Sequence, residues 1–253
     1  MLSHDTDILD YMKLKLLNEL SVFFPCYNEE KNIKNTVDKT IPVLQEITDK
    51  WEIILVNDGS KDNTAKILEN IKKEYPKNIK IITHNPNRGY GAAFKSGVYN
   101  AKYEWIAFTD ADGQFDFSEV TKLIKKQQET QSDIVIGYYL SRQVSKAAII
   151  TSKIWELIVF VLFGLRVRDI DCGFKLISKK VIDTIPKLEA ERGAFISSEF
   201  LIKSKKAGFK IVEVGVHHYA RVEGKATGRN INVILKSFSD LFKLWFKINF
   251  QHV

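Results

Sequence analysis

Short apolar runs alternate with segments of helical spacing over the first 140 residues of the chain. The runs are rich in Val, Ile, Phe and Trp without polar alternation, which is typical of strands buried on both faces of a sheet. We expect the first strand to stop at Pro25 and Ser118 to cap the fourth helix. The alternation predicts an α/β fold whose sheet is largely parallel, with helices on both faces. The strands are predicted in "LSVFFPCYNEE", "WEIILVNDGS", "NIKIITHN", "EWIAFTDAD" and "SDIVIGYY".

The pattern changes after about residue 140. "KAAIITSKIWELIVFVLFGL" predicts an apolar helix, and "KIVEVGVHH" predicts a further strand, whereas "GFKLISKKVIDTI" between them shows no clear element type. We therefore expect one domain over residues 1–230 and an amphipathic helix over residues 231–253. That helix has five apolar residues on one face and three lysines on another, namely Ile234, Phe238, Leu241, Trp245 and Ile248 against Lys236, Lys243 and Lys247.

The composition is basic, with a net charge of +7 over 253 residues. Such a charge suggests nucleic acid, a phosphorylated substrate or a lipid surface as partner, although a lysine-rich proteome gives the same balance without one. The lysines are scattered along helices instead of clustering with aromatic residues, which argues against nucleic acid. Two cysteines form no disulfide framework, so a reducing, cytoplasmic location is expected.

Membrane contact is expected to be peripheral. The N-terminus carries charges throughout and does not resemble a signal peptide. The longest uncharged run in the apolar helix, from Leu157 to Leu165, is nine residues, whereas a spanning helix needs about 20. The tail helix, or the helix around Trp155, could lie on the cytoplasmic face of a membrane. Ordinary packing against the core is the alternative for both helices.

Polar residues cluster just after four predicted strands. The carboxyl ends of parallel strands meet at one edge of a sheet, where ligands of open α/β sheets bind. The clusters are therefore expected to line one crevice. Their members are Tyr27, Asn28 and Glu29; Asn57 and Asp58; Asn85 and Asn87; and Asp110 and Asp112.

The stretch "FTDADGQFD" places Asp110, Asp112 and Gln114 on alternate positions at the end of a buried strand. Carboxylate and amide oxygens suit Mg²⁺ or Mn²⁺, which keep open positions for phosphate oxygens. Such a metal would stabilise a departing diphosphate. The alternative is a solvated acidic turn.

The other clusters offer contacts to a nucleotide. Asn57 or Asp58 could hydrogen-bond a base or ribose, while Asp62 or Asn63 could equally cap the following helix. Tyr27 offers a stacking surface and Glu29 an acceptor, although acids are also favoured at a helix N-terminus. The segment "NPNRGYGAAFKSG" is neither a dinucleotide fingerprint nor a P-loop, but it could direct Arg88 and Lys95 towards phosphate.

Taken together, these segments resemble the family-2 nucleotide-sugar glycosyltransferases with the GT-A fold. Within that family the chain is most similar to the polyprenyl-phosphate glycosyltransferases, of the dolichyl-phosphate mannose synthase type. The resemblance covers residues 20 to about 230 and implies a Rossmann-like arrangement. It is carried by "PCYNEEKNI", "VNDGSKDNT", "NRGYGAAFKSG", "FTDADGQFD", "RVRDIDCGFK", "SSEF" and "EVGVHHYARVEGKATG".

The resemblance implies a role for each matching residue. Those for the nucleotide sugar are Pro25, Tyr27, Glu29, Asp58 and, in the closing loop, Lys225. Those for metal and diphosphate are Asp110, Asp112 and Gln114. Asp169 would line the acceptor side, Glu199 matches a recurrent acid, Arg221 would act near the phosphates, and Arg142 and Ser152 would bind the acceptor phosphate. The chain departs from the family pattern at three places. Tyr139 stands where an Arg is usual, Ala148 stands where a basic residue is usual, and the closing loop reads "GKATG".

The implied reaction is an inverting transfer of a sugar from GDP-mannose or a UDP-hexose to a polyprenyl phosphate, with Mg²⁺ or Mn²⁺. A phosphate acceptor is already mostly dianionic at neutral pH, so Asp169 is expected to position it and not to abstract a proton. The main alternative is a family-2 enzyme that acts on a saccharide hydroxyl in surface polysaccharide synthesis. A nucleic-acid-binding protein and a non-catalytic binding module are further alternatives, and the intact acidic segment argues against the second.

Overall fold

One sheet runs through the part of the protein described by the computed structural model, which covers residues 15–141, 146–193, 195–220 and 231–250 without the side chains of 146–148 and 231–235. Its seven strands follow the order β3-β2-β1-β4-β6-β5-β7. They are β1 (Glu19–Cys26), β2 (Lys50–Asn57), β3 (Ile79–Thr83), β4 (Trp105–Phe108), β5 (Ile134–Tyr139), β6 (Lys175–Ser178) and β7 (Ile211–Val216). All six predicted strands are present.

Eight α-helices connect or follow the strands in the described residues. They are α1 (Ile33–Ile47), α2 (Thr64–Glu74), α3 (Tyr90–Asn100), α4 (Val120–Thr130), α5 (Lys146–Phe163), α6 (Lys179–Thr184), α7 (Phe195–Lys206) and α8 (Ile231–Phe250). The alternation of strands and helices up to β5 is the one that the apolar pattern predicted.

The sheet is mostly parallel, as expected. β1 pairs in parallel with β2 and β4, β2 with β3, and β5 with β7. β6 lies between β4 and β5 and runs antiparallel to both. This strand falls in the segment to which the pattern gave no element type. Its four residues are buried and lead directly into α6, so neither a strand period nor a helix period becomes visible.

Helices cover both faces of the sheet and create two hydrophobic clusters. Val37 of α1 and Leu68 of α2 belong to the cluster on one face. Phe94 of α3, Phe200 of α7 and Leu241 of α8 belong to the cluster on the other. Neighbouring strand residues alternate between them, which explains why the strand sequences show no polar positions.

Two predicted boundaries were wrong. β1 continues through Pro25 to Cys26 and pairs with β2 over its whole length. On its other side β1 pairs with β4 only as far as Phe23, so the missing N–H of Pro25 interrupts no hydrogen bonds between β1 and β4. Ser118 is not a cap, since it lies inside a short 3₁₀ helix, Phe117–Glu119, that precedes α4. The side chain of Asp116 caps that helix by accepting a hydrogen bond from the backbone N–H of Ser118 at 2.9 Å.

The apolar face predicted for α8 packs against the protein, contrary to an interfacial location for that face. Leu241 is fully buried, Trp245 and Ile248 pack against the same core cluster, and the ring of Phe238 meets that of Trp155 at 5.1 Å. The side chain of Ile234 lies outside the described residues. Where the structure is described, no helix is long and apolar enough to cross a membrane. The division at residue 230 stays a prediction.

Candidate functional site

The loops after β1 and β2 are joined by hydrogen bonds at the carboxyl edge of the sheet. The backbone N–H of Asn28 donates to Ser60 Oγ at 3.1 Å, and the N–H of Lys61 donates to Asn28 Oδ1 at 2.8 Å. The N–H of Glu29 donates to Thr64 Oγ1 at 2.9 Å. These contacts fix the chain directly after Tyr27, which the sequence predicts to contact the nucleotide.

Several polar residues of this edge shape the turns themselves. Asn57 Oδ1 accepts from the backbone N–H of Ser60 at 3.0 Å, and Glu29 Oε2 accepts from Asn32 Nδ2 at 2.7 Å. Of the two caps considered for α2, Asp62 accepts from the N–H of Thr64 at 3.0 Å, whereas the Asn63 side chain makes no capping bond. The capping interpretation is therefore confirmed for Asp62. Nucleotide contacts by Pro25, Tyr27, Glu29, Asn57 and Asp58 stay predictions.

Asp58 is a buried hub that links the ends of β2 and β3. Its Oδ1 accepts from His84 Nδ1 at 2.7 Å and from the backbone N–H of Arg88 at 2.9 Å. Its Oδ2 accepts from Asn87 Nδ2 at 2.7 Å and from the N–H of Gly89 at 2.8 Å. A buried carboxylate is stable only with such partners. Asp58 therefore shapes the loop that begins α3, a role that the sequence did not reveal.

The acidic segment after β4 is held from both sides. Tyr90, the first residue of α3, donates its hydroxyl to Asp110 Oδ1 at 3.1 Å. The other oxygen of Asp110 lies so close to Gly173 that a Cβ there would stand 2.2 Å from it. Asp112 Oδ1 accepts a hydrogen bond from the backbone N–H of Gln114 at 3.0 Å, which closes a turn over residues 112–114.

A segment after β7 clamps this turn. Tyr219 N–H donates to the backbone oxygen of Gln114, and Gln114 Nε2 donates to the backbone oxygen of Tyr219, both at 2.8 Å. Glu119, the last residue of the 3₁₀ helix before α4, accepts hydrogen bonds from the same segment. Its carboxylate accepts from the backbone N–H of His217 at 2.8 Å and from His217 Nδ1 at 2.6 Å. Burial alone would raise the pKa of Glu119, but hydrogen bonds from Lys122 and His217 bring that pKa below its ordinary value.

Asp110, Asp169 and Asp171 all lie near the hydroxyl of Tyr139. Burial, followed by the nearby Cys172 thiol, Asp169, Asp110 and Asp171, raises the pKa of Tyr139 well above its ordinary value. The convergence of these groups on one hydroxyl places Asp169, predicted for the acceptor side, in the same region as Asp110.

Lys175 lies beneath this acidic centre. It is fully buried, and burial lowers its pKa despite the opposing pull of Cys172, Asp171, Asp110 and Asp169. Its Nζ donates to the backbone oxygen of Cys172. A buried ammonium stabilises the aspartates above it, and they in turn favour its charged form.

The donor atoms of this segment fit a hard divalent cation. Asp110 and Asp112 supply carboxylates, and the bond from Gln114 Nε2 to Tyr219 leaves the Gln114 amide oxygen as the atom available to a cation. Among the described residues, no group of three His, Cys, Asp or Glu could hold a metal alone. Two carboxylates and an amide would leave positions that diphosphate oxygens can fill, as Mg²⁺ prefers.

The two cations predicted to face phosphate share one carboxylate instead. Arg88 Nη2 lies 2.9 Å and Lys95 Nζ 3.3 Å from Glu191 Oε1. These hydrogen bonds and charges lower the pKa of Glu191. Buried Glu199 fixes this loop by accepting from the backbone N–H groups of Glu189 and Ala190, both at 2.8 Å.

Other predicted site residues have no contact that tests them. Ser152 lies on α5, partly buried. Arg142, Arg221 and Lys225 lie outside the described residues. Three neighbours of the acidic centre were not proposed from the sequence as site residues: Tyr90, Asp171 and Lys175. Tyr90 sits between two glycines of "NRGYG", and that position could have indicated a residue close to the site.

The fold and the acidic centre are typical of a glycosyltransferase, and the comparisons agree. Residues 21–185 match the family described as Glycosyl transferase family 2, so the chain belongs to this family and is a glycosyltransferase. Similar proteins include a dolichyl-phosphate β-glucosyltransferase of Trichomonas vaginalis, 32% identical over 89% of this chain and 72% of its own length. The human dolichyl-phosphate β-glucosyltransferase is 30% identical over 81% of this chain and 68% of its own length.

A third relative and a solved structure extend the comparison. The undecaprenyl-phosphate 4-deoxy-4-formamido-L-arabinose transferase of Salmonella choleraesuis is 29% identical over 82% of this chain and 62% of its own length. Glucosyl-3-phosphoglycerate synthase from Mycobacterium tuberculosis, solved with phosphoglyceric acid, superposes with a TM-score of 0.66 at 17% identity, over 91% of this chain and 79% of that one. The predicted GT-A fold is thereby confirmed.

Proposed function

We propose that this glycosyltransferase transfers a hexose from a nucleotide sugar to a polyprenyl phosphate. The observation that carries the proposal is the acidic centre at the end of β4, where Asp110 and Asp112 supply two carboxylates beside the Gln114 amide. The relatives named for dolichyl phosphate and undecaprenyl phosphate support a lipid phosphate as acceptor. Two of the named relatives are β-glucosyltransferases, which favours a glucosyl donor over the mannosyl donor of the type first considered.

The residues of this chain would bind, orient and neutralise the reactants. Asp110, Asp112 and Gln114 would hold Mg²⁺ or Mn²⁺, which supplies positive charge to the diphosphate as it leaves. Tyr27 directly follows β1 and Asn57 ends β2, at the sheet edge that would receive the nucleoside. An oxygen of the acceptor phosphate would attack the anomeric carbon with inversion, while the nucleoside diphosphate departs.

The acceptor needs no general base, because the second pKa of a phosphate monoester is about 6. Asp169 is buried beside Tyr139 and would set the position of the acceptor. We expect Asp112→Ala to abolish transfer, whereas Asp169→Asn keeps a measurable rate. Initial rates with saturating donor would compare the two variants. Equal loss in both would show that Asp169 takes the proton of the acceptor or binds the metal.

A donor and acceptor panel tests the reaction itself. UDP-glucose, GDP-mannose and UDP-N-acetylglucosamine are each incubated with a short polyprenyl phosphate and Mg²⁺ or Mn²⁺, and products are identified by mass. The proposal expects a polyprenyl-phosphate hexose that forms only when a divalent cation is present. Parallel reactions with a saccharide acceptor cover the hydroxyl-acceptor alternative. A product formed only on the saccharide would overturn the proposal.

A lipid acceptor requires contact with a bilayer, and two exposed apolar stripes support such contact. On α5, residues at helical spacing are 51–71% exposed: Ile150, Ile154, Leu157 and Val161. On α8, Phe242, Phe246 and Phe250 are 53–60% exposed. The two helices meet through Trp155 and Phe238. We propose that the protein lies peripherally on a membrane through these stripes, on the cytoplasmic face that the free cysteines favour.

The α5 stripe is tied to the acidic centre. Lys153 of α5 donates to the backbone oxygen of Arg168 at 2.8 Å, and Arg168 directly precedes Asp169. Ser152, predicted for the acceptor phosphate, neighbours Lys153 on the same helix. A lipid whose chain lay along α5 would therefore have its phosphate close to the residues proposed to receive it.

A further inference from the structure

His84 follows β3 and lies almost completely inside the protein, 6% exposed. Its Nδ1 is 2.7 Å from Asp58 Oδ1, and its Nε2 is 2.9 Å from Ser96 Oγ on α3. A carboxylate only accepts hydrogen bonds, so Nδ1 carries the proton. The ring therefore bridges the end of β2 and the second turn of α3, and the loop from Asn85 to Gly89 closes over this bridge.

This loop depends on Asp58 for the position of its backbone. The N–H groups of Arg88 and Gly89 both donate to the Asp58 carboxylate. The turn after β2 presses against the same loop, because a Cβ on Gly59 would stand 2.7 Å from the backbone nitrogen of Asn87. Any rotation of the Asp58 carboxylate would consequently move the two amides that lead into α3.

The loop ends at the residue that contacts the acidic segment. Tyr90 follows Gly89 directly and donates to Asp110 Oδ1 at 3.1 Å. A continuous set of contacts thus runs from His84 through Asp58 and the Arg88 and Gly89 amides to Asp110. It connects the carboxyl ends of β2, β3 and β4, where the nucleotide sugar is proposed to bind.

We propose that His84 is a positioning residue of the donor site, which acts through Asp58 on the Arg88–Tyr90 segment. Without the His84 donor, Asp58 Oδ1 keeps only the Arg88 amide, and a buried carboxylate that loses a partner turns towards other donors or water. The segment would then sample several positions, and binding of a diphosphate would have to order it again.

Three substitutions separate the hydrogen bond from the bulk of the ring. His84→Asn keeps an amide N–H close to the position of Nδ1 and can still donate to Asp58. His84→Gln carries its amide further out, near the position of Nε2, and His84→Leu has no donor. The matched control is Ser21→Ala, which removes a buried 2.7 Å hydrogen bond to the Glu52 carboxylate near the opposite ends of the strands.

Amide hydrogen exchange measures the positioning directly. We expect exchange of the peptide that contains Arg88 and Gly89 to be about tenfold faster in His84→Leu and His84→Gln, because local opening becomes easier. His84→Asn and Ser21→Ala should exchange there like the wild type. Unchanged exchange in His84→Leu, or equal acceleration in His84→Asn, would overturn the proposal.

Binding of UDP and of GDP with Mg²⁺ measures the consequence, and only this part rests on the proposed function. His84→Leu should weaken binding of the preferred diphosphate about tenfold, and His84→Asn by less than about threefold. The KM for the donor should rise with the Kd, while kcat changes little. Equal Kd values in His84→Leu and the wild type would overturn the proposal. If the wild type bound neither diphosphate, the proposed function would fail, and the exchange data would still decide the role of His84.

Discussion

Two glycines of this protein show how the same added methyl group would act in the core and at the site. A Cβ at Gly97 of α3 would stand 2.1 Å from the ring of Phe23. That ring is buried between Phe94 and Phe108, at centroid distances of 5.4 and 4.9 Å, so it cannot withdraw. A Cβ at Gly173 would instead meet the carboxylate of Asp110, which can rotate away.

We therefore expect Gly97→Ala to destabilise the fold by about 1–3 kcal/mol, the usual cost of overpacking a core. Gly173→Ala should unfold close to the wild-type temperature, but displacement of Asp110 should lower transfer about a hundredfold. Thermal unfolding and initial rates of both variants would be measured side by side. A Gly173→Ala enzyme with wild-type activity would contradict the role given to Asp110.

At this scale the sequence indicated residue types better than residue partners. Asp58 was recognised as a polar residue at a strand end, but its four donors come from positions 26–31 residues later in the chain. Arg88 and Lys95 were expected to face phosphate, while their common partner Glu191 lies about a hundred residues away. Spacing along a chain does not show such long-range contacts, because they depend on how the loops cross the sheet edge.

Among the larger elements, the clamp between α4 and the segment after β7 has a predictable pH dependence. The folded protein holds the pKa of Glu119 below its ordinary value through Lys122 and His217, against the effect of burial. A carboxyl whose pKa is lower when folded stabilises the fold above its unfolded pKa, and this contribution is lost as the pH falls through the folded value.

We expect the wild type to be more stable than Glu119→Gln near pH 7, and the difference to shrink as the pH falls below the ordinary glutamate pKa of about 4.5. Urea midpoints of the two proteins from pH 7 to pH 3 would show it. Using the difference between them removes the contribution of titrating groups that do not contact Glu119. A difference that stayed constant over this range would exclude Glu119 as the titrating group.

For the whole molecule, the periodic part of the sequence predicted the architecture, and the short or irregular part did not. Five strands and four helices before residue 140 follow from apolar spacing alone. β6 was not predicted, because four consecutive buried residues are too few to show a strand or helix period. On α8 the pattern predicted one apolar face without showing whether that face meets the core or a membrane. The packing of Leu241 and Leu244 decides that question.

This packing changes how membrane contact should be tested. Removal of residues 231–253 would take Leu241 out of the core, so loss of vesicle binding would not separate unfolding from loss of contact. The double variant Phe242→Ser and Phe246→Ser removes exposed rings only. Burial of a phenylalanine contributes about 1.5–3 kcal/mol, and partial insertion of two rings should make a difference of about tenfold in partitioning. Leu241→Ser on the same helix is the control.

We expect the double variant to float with anionic vesicles about tenfold less than the wild type, at an unchanged unfolding temperature. Leu241→Ser should lower the unfolding temperature, while its folded fraction still floats. Because the net charge is +7, high salt should weaken flotation in all three proteins. Flotation of the double variant equal to the wild type would show that the α8 stripe does not face the lipid, and the same pair of substitutions at Ile154 and Leu157 would then test α5 alone.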